Sequence, residues 1–140
     1  AMAARMPVTR AMVKALLRQI GLERALETGT FTEDMIDWFL SVQRDTDTMV
    51  NDLRSSPKIV TPVRGLDERI LHSDGLLARV TMPTLFLWGD EDPNGGAHVA
   101  EQFTARLPDA RLEILPQAGH DPWSDQLDLC AERTRAFLTV

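Results

Sequence analysis

Two apolar runs, each ending at a glycine turn that carries an acidic or imidazole side chain, constrain this sequence more than any other feature. The first run covers residues 84–92 and ends in Gly-Asp-Glu-Asp, and the second covers 112–120 and ends in Gly-His. A short continuous apolar run is typical of a strand buried on both faces of a parallel sheet. Because ligands bind outside the carboxyl ends of such strands, both turns are candidate positions for catalytic groups.

The region around the two runs predicts a strand, helix, strand, helix order. A helix is expected over 97–107 and is ended by Pro108, the second strand covers 111–115, and a last helix covers 126–138. Two strands joined through one helix should be parallel with a right-handed crossover. Their carboxyl ends then lie at one edge of the sheet, so we expect Asp92 and His120 to meet there.

The N-terminal half has helical periodicity instead. Apolar residues recur at three- and four-residue spacings over 9–20, and Gly21 follows as a stop signal. A longer helix is predicted from Thr32, the expected N-cap, to Pro57, with a break or kink at the polar stretch 43–48.

The connection that follows this helix carries turn signals. Residues 58–65 are expected to be irregular, and Ser73 is expected to cap a short helix that runs through Val80. We therefore predict two regions, a helical one over 1–80 and a strand-containing one over 81–140.

Composition limits the partners and the compartment. The apolar fraction of 44% and the charged fraction of 26% are typical of a globular chain. With 15 basic and 21 acidic side chains the net charge is −6, which argues against nucleic acid or an anionic membrane surface as a partner. The single Cys130 favours a reducing compartment, and the sequence has neither a signal-peptide pattern nor a membrane-spanning segment, so we expect a cytoplasmic protein. No cofactor and no metal are expected.

The acid and the imidazole suggest a specific chemistry. A carboxylate that accepts a proton from one ring nitrogen fixes the tautomer of an imidazole and stabilises the imidazolium, as a general base requires. The segments 82–93 and 118–123 resemble the α/β-hydrolase family, in which the order along the chain is nucleophile, acid, His. The resemblance implies that Asp92 is the acid and His120 the base of a catalytic triad. It is specific over about 76–140, and it implies that the helices of 1–80 are a cap or lid inserted before this point.

The nucleophile that the family needs is not recognisable in the sequence. None of the 8 glycines begins a Gly-x-Ser-x-Gly elbow, and the serines lie in helix, cap or loop contexts. We therefore expect an α/β fold that is the C-terminal portion of an α/β hydrolase, mostly helical cap followed by two parallel strands and their helices. The intact enzyme would act on an ester-like small-molecule substrate, and this chain would supply acid and base only and be inactive alone.

An orphaned strand edge is a further consequence of this expectation. The first strand would have no neighbour on one side, and unpaired strand edges readily pair with other chains. We therefore expect a homo-oligomer formed through this edge. A non-catalytic, self-associating module is the alternative function.

A second alternative overlaps the acid turn. Residues 90–101 match the calcium-loop pattern D-x-[DN]-x-[DN]-G followed by five residues and Glu. An EF-hand needs a helix before its loop, whereas a strand-like run precedes this one. We therefore rank the calcium-binding interpretation below the hydrolase interpretation.

Two aromatic residues of the helical region have two interpretations. Trp38 and Phe39, with the methionines near them, could line an acyl or aromatic pocket, because the cap roofs the site in the family that this chain resembles. Packing within the helices is the other interpretation, and it is the one that we favour from the sequence.

Overall fold

The computed structural model describes residues 7–61, 65–66 and 72–139. Eight helices and four strands are assigned in these ranges. In chain order they are α1 (Arg10–Gln19), α2 (Glu23–Thr28), α3 (Glu33–Asp45), α4 (Thr48–Ile59), β1 (Val60–Thr61), β2 (Gly65–Leu66), α5 (Asp74–Leu77), β3 (Thr84–Gly89), α6 (Ala97–Thr104), β4 (Ala110–Leu115), α7 (Pro122–Asp125) and α8 (Leu127–Leu138).

The first helix begins and ends where its sequence signals predict. The Thr9 side chain accepts a hydrogen bond from the Met12 amide at 3.3 Å, which satisfies one of the free donors of the first turn. Val13 and Leu17, one turn apart, are buried on its inner face. Gly21 follows the helix with φ of 88°, so the chain reverses there.

The polar stretch after α3 separates two helices. Thr46 is extended, and its hydroxyl donates to the Val42 carbonyl at 2.6 Å and accepts from the Thr48 amide at 3.2 Å. These bonds end α3 and prepare the start of α4, because a threonine side chain here replaces backbone partners. The predicted break is confirmed.

The prediction that Pro57 ends this helical region is wrong, because α4 continues to Ile59. A proline inside a helix removes an amide donor and crowds the carbonyl one turn earlier, but Pro57 lies only two residues before the end of α4 and the helix continues past it. The expectation of an irregular connection over 58–65 is also partly wrong. Val60–Thr61 pairs antiparallel with Gly65–Leu66, and residues 62–64 lie outside the described ranges.

The short helix capped by Ser73 is present, although it ends earlier than expected. The Ser73 hydroxyl accepts from the Leu76 amide at 3.3 Å, and α5 ends at Leu77 rather than reaching Val80. Two other short helices, α2 and α7, were not predicted. Pro122 occupies the first turn of α7, where its fixed φ favours a helix start.

The strand-containing part has the predicted topology. β3 and β4 are parallel and in register, with Thr84 opposite Ala110 and Gly89 opposite Leu115, and α6 lies between them in the chain. Both strands therefore end at the same edge of the sheet.

Apolar side chains form two buried clusters. One is formed by the N-terminal helices and their connections: Val8, Val13, Leu17, Leu22, Ala25, Phe31, Ile36 and Leu40. The other lies beneath the end of β4 and α8: Leu115, Ala118 and Cys130. Within the described ranges, no helix is long and apolar enough to cross a bilayer.

Ion pairs join α1 to α3 on the surface. Lys14 donates to Glu33 at 2.8 Å, and Arg10 bonds to both Glu33 and Asp37. The hydrogen bond from Lys14 lowers the pKa of Glu33, with a smaller contribution from Arg10. These pairs neutralise the charges on this face of the helices.

Candidate functional site

The acid turn continues directly from the end of β3. The Asp90 amide donates to the Leu115 carbonyl at 3.0 Å, which extends the ladder by one residue, and the Glu91 amide donates to the Ala118 carbonyl at 2.9 Å. In return, the Asp90 carboxylate accepts from the Ala118 amide at 3.3 Å. These hydrogen bonds join the turn after β3 to the turn after β4 independently of Asp92 and His120.

Asp92 is the buried acid of this turn. Its side chain is only 4% exposed, and its two oxygens have different partners. Oδ1 accepts from the Asn94 amide at 2.8 Å, and Oδ2 lies 2.9 Å from Nδ1 of His120. A carboxylate needs such partners when it is removed from water, so burial and bonding are consistent with each other.

His120 is the exposed member of the pair. Its side chain is 51% exposed, and with Nδ1 beside Asp92 the other ring nitrogen, Nε2, is the one that can exchange a proton. The structure therefore brings together the two residues that the sequence selected. Their catalytic role stays a prediction.

The loop that carries His120 is held from behind by a residue that sequence reasoning missed. The Asp125 carboxylate in α7 accepts from the buried Gly119 amide at 2.9 Å. No sequence signal links Asp125 to Gly119, because the Asp-Pro pair at 121–122 predicts only that a helix starts nearby.

Gly89 explains why β3 ends as it does. A Cβ at this position would lie 2.1 Å from the Ala118 carbonyl oxygen, so the two strand ends approach each other more closely than any side chain permits. This close approach brings Asp92 within reach of His120.

The calcium alternative does not fit this geometry. β3, not a helix, precedes the loop, and Asp92 already bonds to His120 and Asn94. The indole of Trp88 donates to the Gly95 carbonyl at 2.7 Å, which ties the loop to the strand. In the part of the chain that the structure describes, no group of three or more His, Cys, Asp or Glu side chains is placed to hold a metal ion.

The serines do not complete a triad within the described residues. Ser124 is buried, but its hydroxyl donates to the Asp121 carboxylate at 2.6 Å, and no hydrogen bond joins a described serine to His120. His72 and His98 are exposed and lie outside the site.

An apolar cavity of about 440 Å³ lies beside the site. Trp38 and Phe39, for which the sequence allowed two interpretations, both line it, and so does Asp121, the residue after His120. Trp123 in α7 is exposed and is not among the residues lining this cavity.

Comparison with known proteins gives the following relationships. No protein-family model matches the chain. Lipase 1 of Psychrobacter immobilis is 28% identical over 65 residues, which are 46% of this chain and 20% of the lipase.

Solved structures match over nearly the whole chain. The 2-hydroxy-6-oxo-6-phenylhexa-2,4-dienoate hydrolase (BphD) from Rhodococcus sp. strain RHA1 has a TM-score of 0.72 at 14% identity over 94% of this chain. A serine hydrolase involved in carbazole degradation, CarC, has a TM-score of 0.66 at 18% identity, also over 94%. The chain spans 45% and 47% of these two proteins, respectively. It therefore has the α/β-hydrolase fold and corresponds to the C-terminal part of that fold.

Proposed function

We propose that this chain supplies the acid and the base of an α/β-fold hydrolase that acts on an ester-like small molecule, with Asp92 orienting His120. The observation that carries this proposal is the 2.9 Å contact between Asp92 Oδ2 and His120 Nδ1 at the ends of adjacent parallel strands. The likeness to solved hydrolases supports the general class of the reaction.

The chemistry follows from the two ring nitrogens. Asp92 holds the proton on Nδ1, so Nε2 has a free lone pair and accepts the proton of an attacking hydroxyl as that hydroxyl adds to the substrate carbonyl. The buried carboxylate then stabilises the imidazolium, which returns the proton to the leaving group. Water repeats the two steps on the covalent acyl intermediate and releases the acid.

The nucleophile belongs, in this proposal, to polypeptide outside the present sequence. Two observations support this: the sequence has no Gly-x-Ser-x-Gly elbow, and the chain spans less than half of the solved hydrolases that it matches. The isolated chain is then inactive, because a base without a nucleophile and oxyanion donors keeps little of the catalytic machinery. In the same proposal the helices of 1–80 form a cap over the site, and 81–140 form part of the catalytic core.

Labelling and turnover assays test the proposal in two stages. The chain itself is treated with a fluorophosphonate probe and assayed with an aryl ester, and we expect neither labelling nor turnover. A longer protein that contains the chain and an upstream nucleophile elbow should be labelled, and its esterase activity should be lost in His120→Ala. The exposed His98→Ala variant is the matched control and should keep the activity.

Two results would count against the proposal. Labelling of a residue within this chain would place the nucleophile inside it. Full activity of His120→Ala in the longer protein would remove the base from the mechanism and leave the non-catalytic module as the better assignment.

A further inference from the structure

The apolar cavity lies beside the loop that carries His120. Ile20 at the end of α1 and Asp121 both line it, and the residues that follow Ile20 and precede Asp121 are in contact. The Gly21 Cα and the Gly119–His120 backbone are packed so tightly that a Cβ on Gly21 would lie 2.9 Å from the His120 nitrogen. The cavity and the catalytic loop are therefore parts of one surface.

Aromatic side chains give the cavity its character. Phe31, Trp38 and Phe39 contribute to its wall, and the rings of Trp38 and Phe39 meet edge to face with centroids 6.5 Å apart. Trp38 remains 66% exposed, although the removal of an indole from water is favourable. A volume of about 440 Å³ lies within the range of small-molecule sites and has room for a single aromatic ring or a short acyl chain.

The charges around the cavity have one sign. Asp34 and Asp121 are the ionisable side chains among its described lining residues. Of the basic residues of α1, Arg10 and Lys14 pair with Glu33 and Asp37 on the outer face. Arg18, the third, lines other surface pockets and is not among the residues lining this cavity. A negative field in a cavity with apolar walls repels an anionic ligand more strongly than it would in water.

We infer that this cavity holds the acyl or aryl part of the substrate and selects neutral or cationic substrates over anionic ones. The assignment of the ligand as substrate rests on the proposed hydrolase function, whereas the charge selectivity rests on the cavity alone. The negative charges of Asp34 and Asp121 weaken the binding of anionic ligands, and Trp38 supplies the apolar contact.

Three ligands of nearly equal size test this charge selectivity on the chain itself. Benzamide is neutral, benzamidine is a cation and benzoate is an anion, so they differ mainly in charge. Their binding is followed by two-dimensional NMR titration of the labelled chain. We expect benzamide and benzamidine to shift the Trp38 indole and Ile20 signals saturably, and benzoate to bind at least fivefold more weakly than benzamide.

Variants separate the charge effect from simple stacking. Asp34→Asn should reduce the difference in affinity between benzoate and benzamide, because it removes one of the two negative charges. Trp38→Ala should weaken all three ligands, while Trp123→Ala, an exposed tryptophan outside the cavity, should change none of them. Asp34 and Trp38 are both exposed, so neither change threatens the fold.

Equal or tighter binding of benzoate would overturn the inference, as would shifts centred on Trp123 instead of Trp38. No turnover is measured in this titration, so its failure leaves the labelling test unaffected. Conversely, labelling of a residue within the chain would overturn the proposed function without touching the charge selectivity.

Discussion

The Gly21 carbonyl oxygen occupies the space that a side chain on Gly119 would need. A Cβ at Gly119 would lie 1.8 Å from that oxygen, less than any non-bonded contact permits. Gly21 belongs to the turn after α1, and Gly119 directly precedes His120. The turn after α1 therefore packs backbone to backbone on the loop that carries His120, and the two glycines permit this contact.

Gly119→Ala should displace this loop. Because the clash is with backbone and not with a flexible side chain, we expect a loss of roughly 1–3 kcal/mol in the free energy of unfolding. The measurement is denaturant unfolding followed by tryptophan fluorescence. Gly75→Ala is the matched control, since a Cβ there meets nothing within 4 Å and alanine favours the helix. Equal stability of the two variants would show that the contact is looser than described.

Asp92→Asn should leave the fold intact but disturb the tautomer of His120. The amide keeps the shape of the side chain, yet it cannot hold a proton on Nδ1 as a carboxylate does, and in serine hydrolases this change costs about 10⁴ in kcat. In the isolated chain, long-range nitrogen NMR of His120 should show the Nδ1–H form of the neutral ring weakened. Asp90→Asn serves as control, because its remaining amide oxygen can still accept from the Ala118 amide. An unchanged His120 spectrum in Asp92→Asn would argue against the orienting role.

Asp125→Ala should loosen the loop from the other side. It leaves the buried Gly119 amide without its acceptor, which costs roughly 1–3 kcal/mol in the free energy of unfolding. Hydrogen exchange of the Gly119 amide should also be faster in the Asp125→Ala variant. The exposed Asp128→Ala, in the first turn of α8, is the control and should change Gly119 exchange little. Unaltered exchange in Asp125→Ala would mean that another group satisfies this amide.

Cys130 should make the free energy of unfolding depend on pH in the alkaline range. Burial raises the pKa of its thiol, with a further contribution from Asp121, so the folded state keeps the proton at pH values where the unfolded chain has lost it. Stability from this group is therefore complete below the thiol pKa of the unfolded chain, about 8.5, and declines as pH rises above it. Unfolding at pH 7 to 10 should show a steeper decline for the native chain than for Cys130→Ala. Parallel pH profiles would contradict the raised pKa.

If two chains pair through the free edge of β3, as we propose, specific backbone amides of that strand should become protected from hydrogen exchange. The Thr84 and Asp90 amides both point at β4 or its flanks, so by alternation the amides of Leu85 and Leu87 point to the opposite edge. We expect a homo-oligomer by size-exclusion chromatography with light scattering. Exchange of the Leu85 and Leu87 amides should slow as protein concentration rises, while Phe86 and Trp88 serve as internal controls. A monodisperse monomer at high concentration would refute this pairing.

Local signals in the sequence were enough to predict the elements that position Asp92 and His120. The continuous apolar run before Gly89 and the Gly-His pair after Leu115 identify two strand ends, and one intervening helix requires the strands to be parallel. Threonine and serine caps at Thr32 and Ser73 mark helix starts because they replace missing backbone partners within three residues. Each of these signals acts over a short stretch of chain, which is why a single sequence reveals it.

Only the tertiary structure decided what surrounds that pair. The support of Gly119 by Asp125, the packing of Gly21 on the His120 loop and the placement of Trp38 beside Asp121 all join residues whose identities carry no mutual signal. A glycine is equally suited to a turn, a cap or a close contact, and an exposed tryptophan to core or cavity, until the neighbouring element is in place. The sequence by itself thus determined which two side chains meet, because strand direction dictates it, while packing between distant helices and loops formed the cavity beside them.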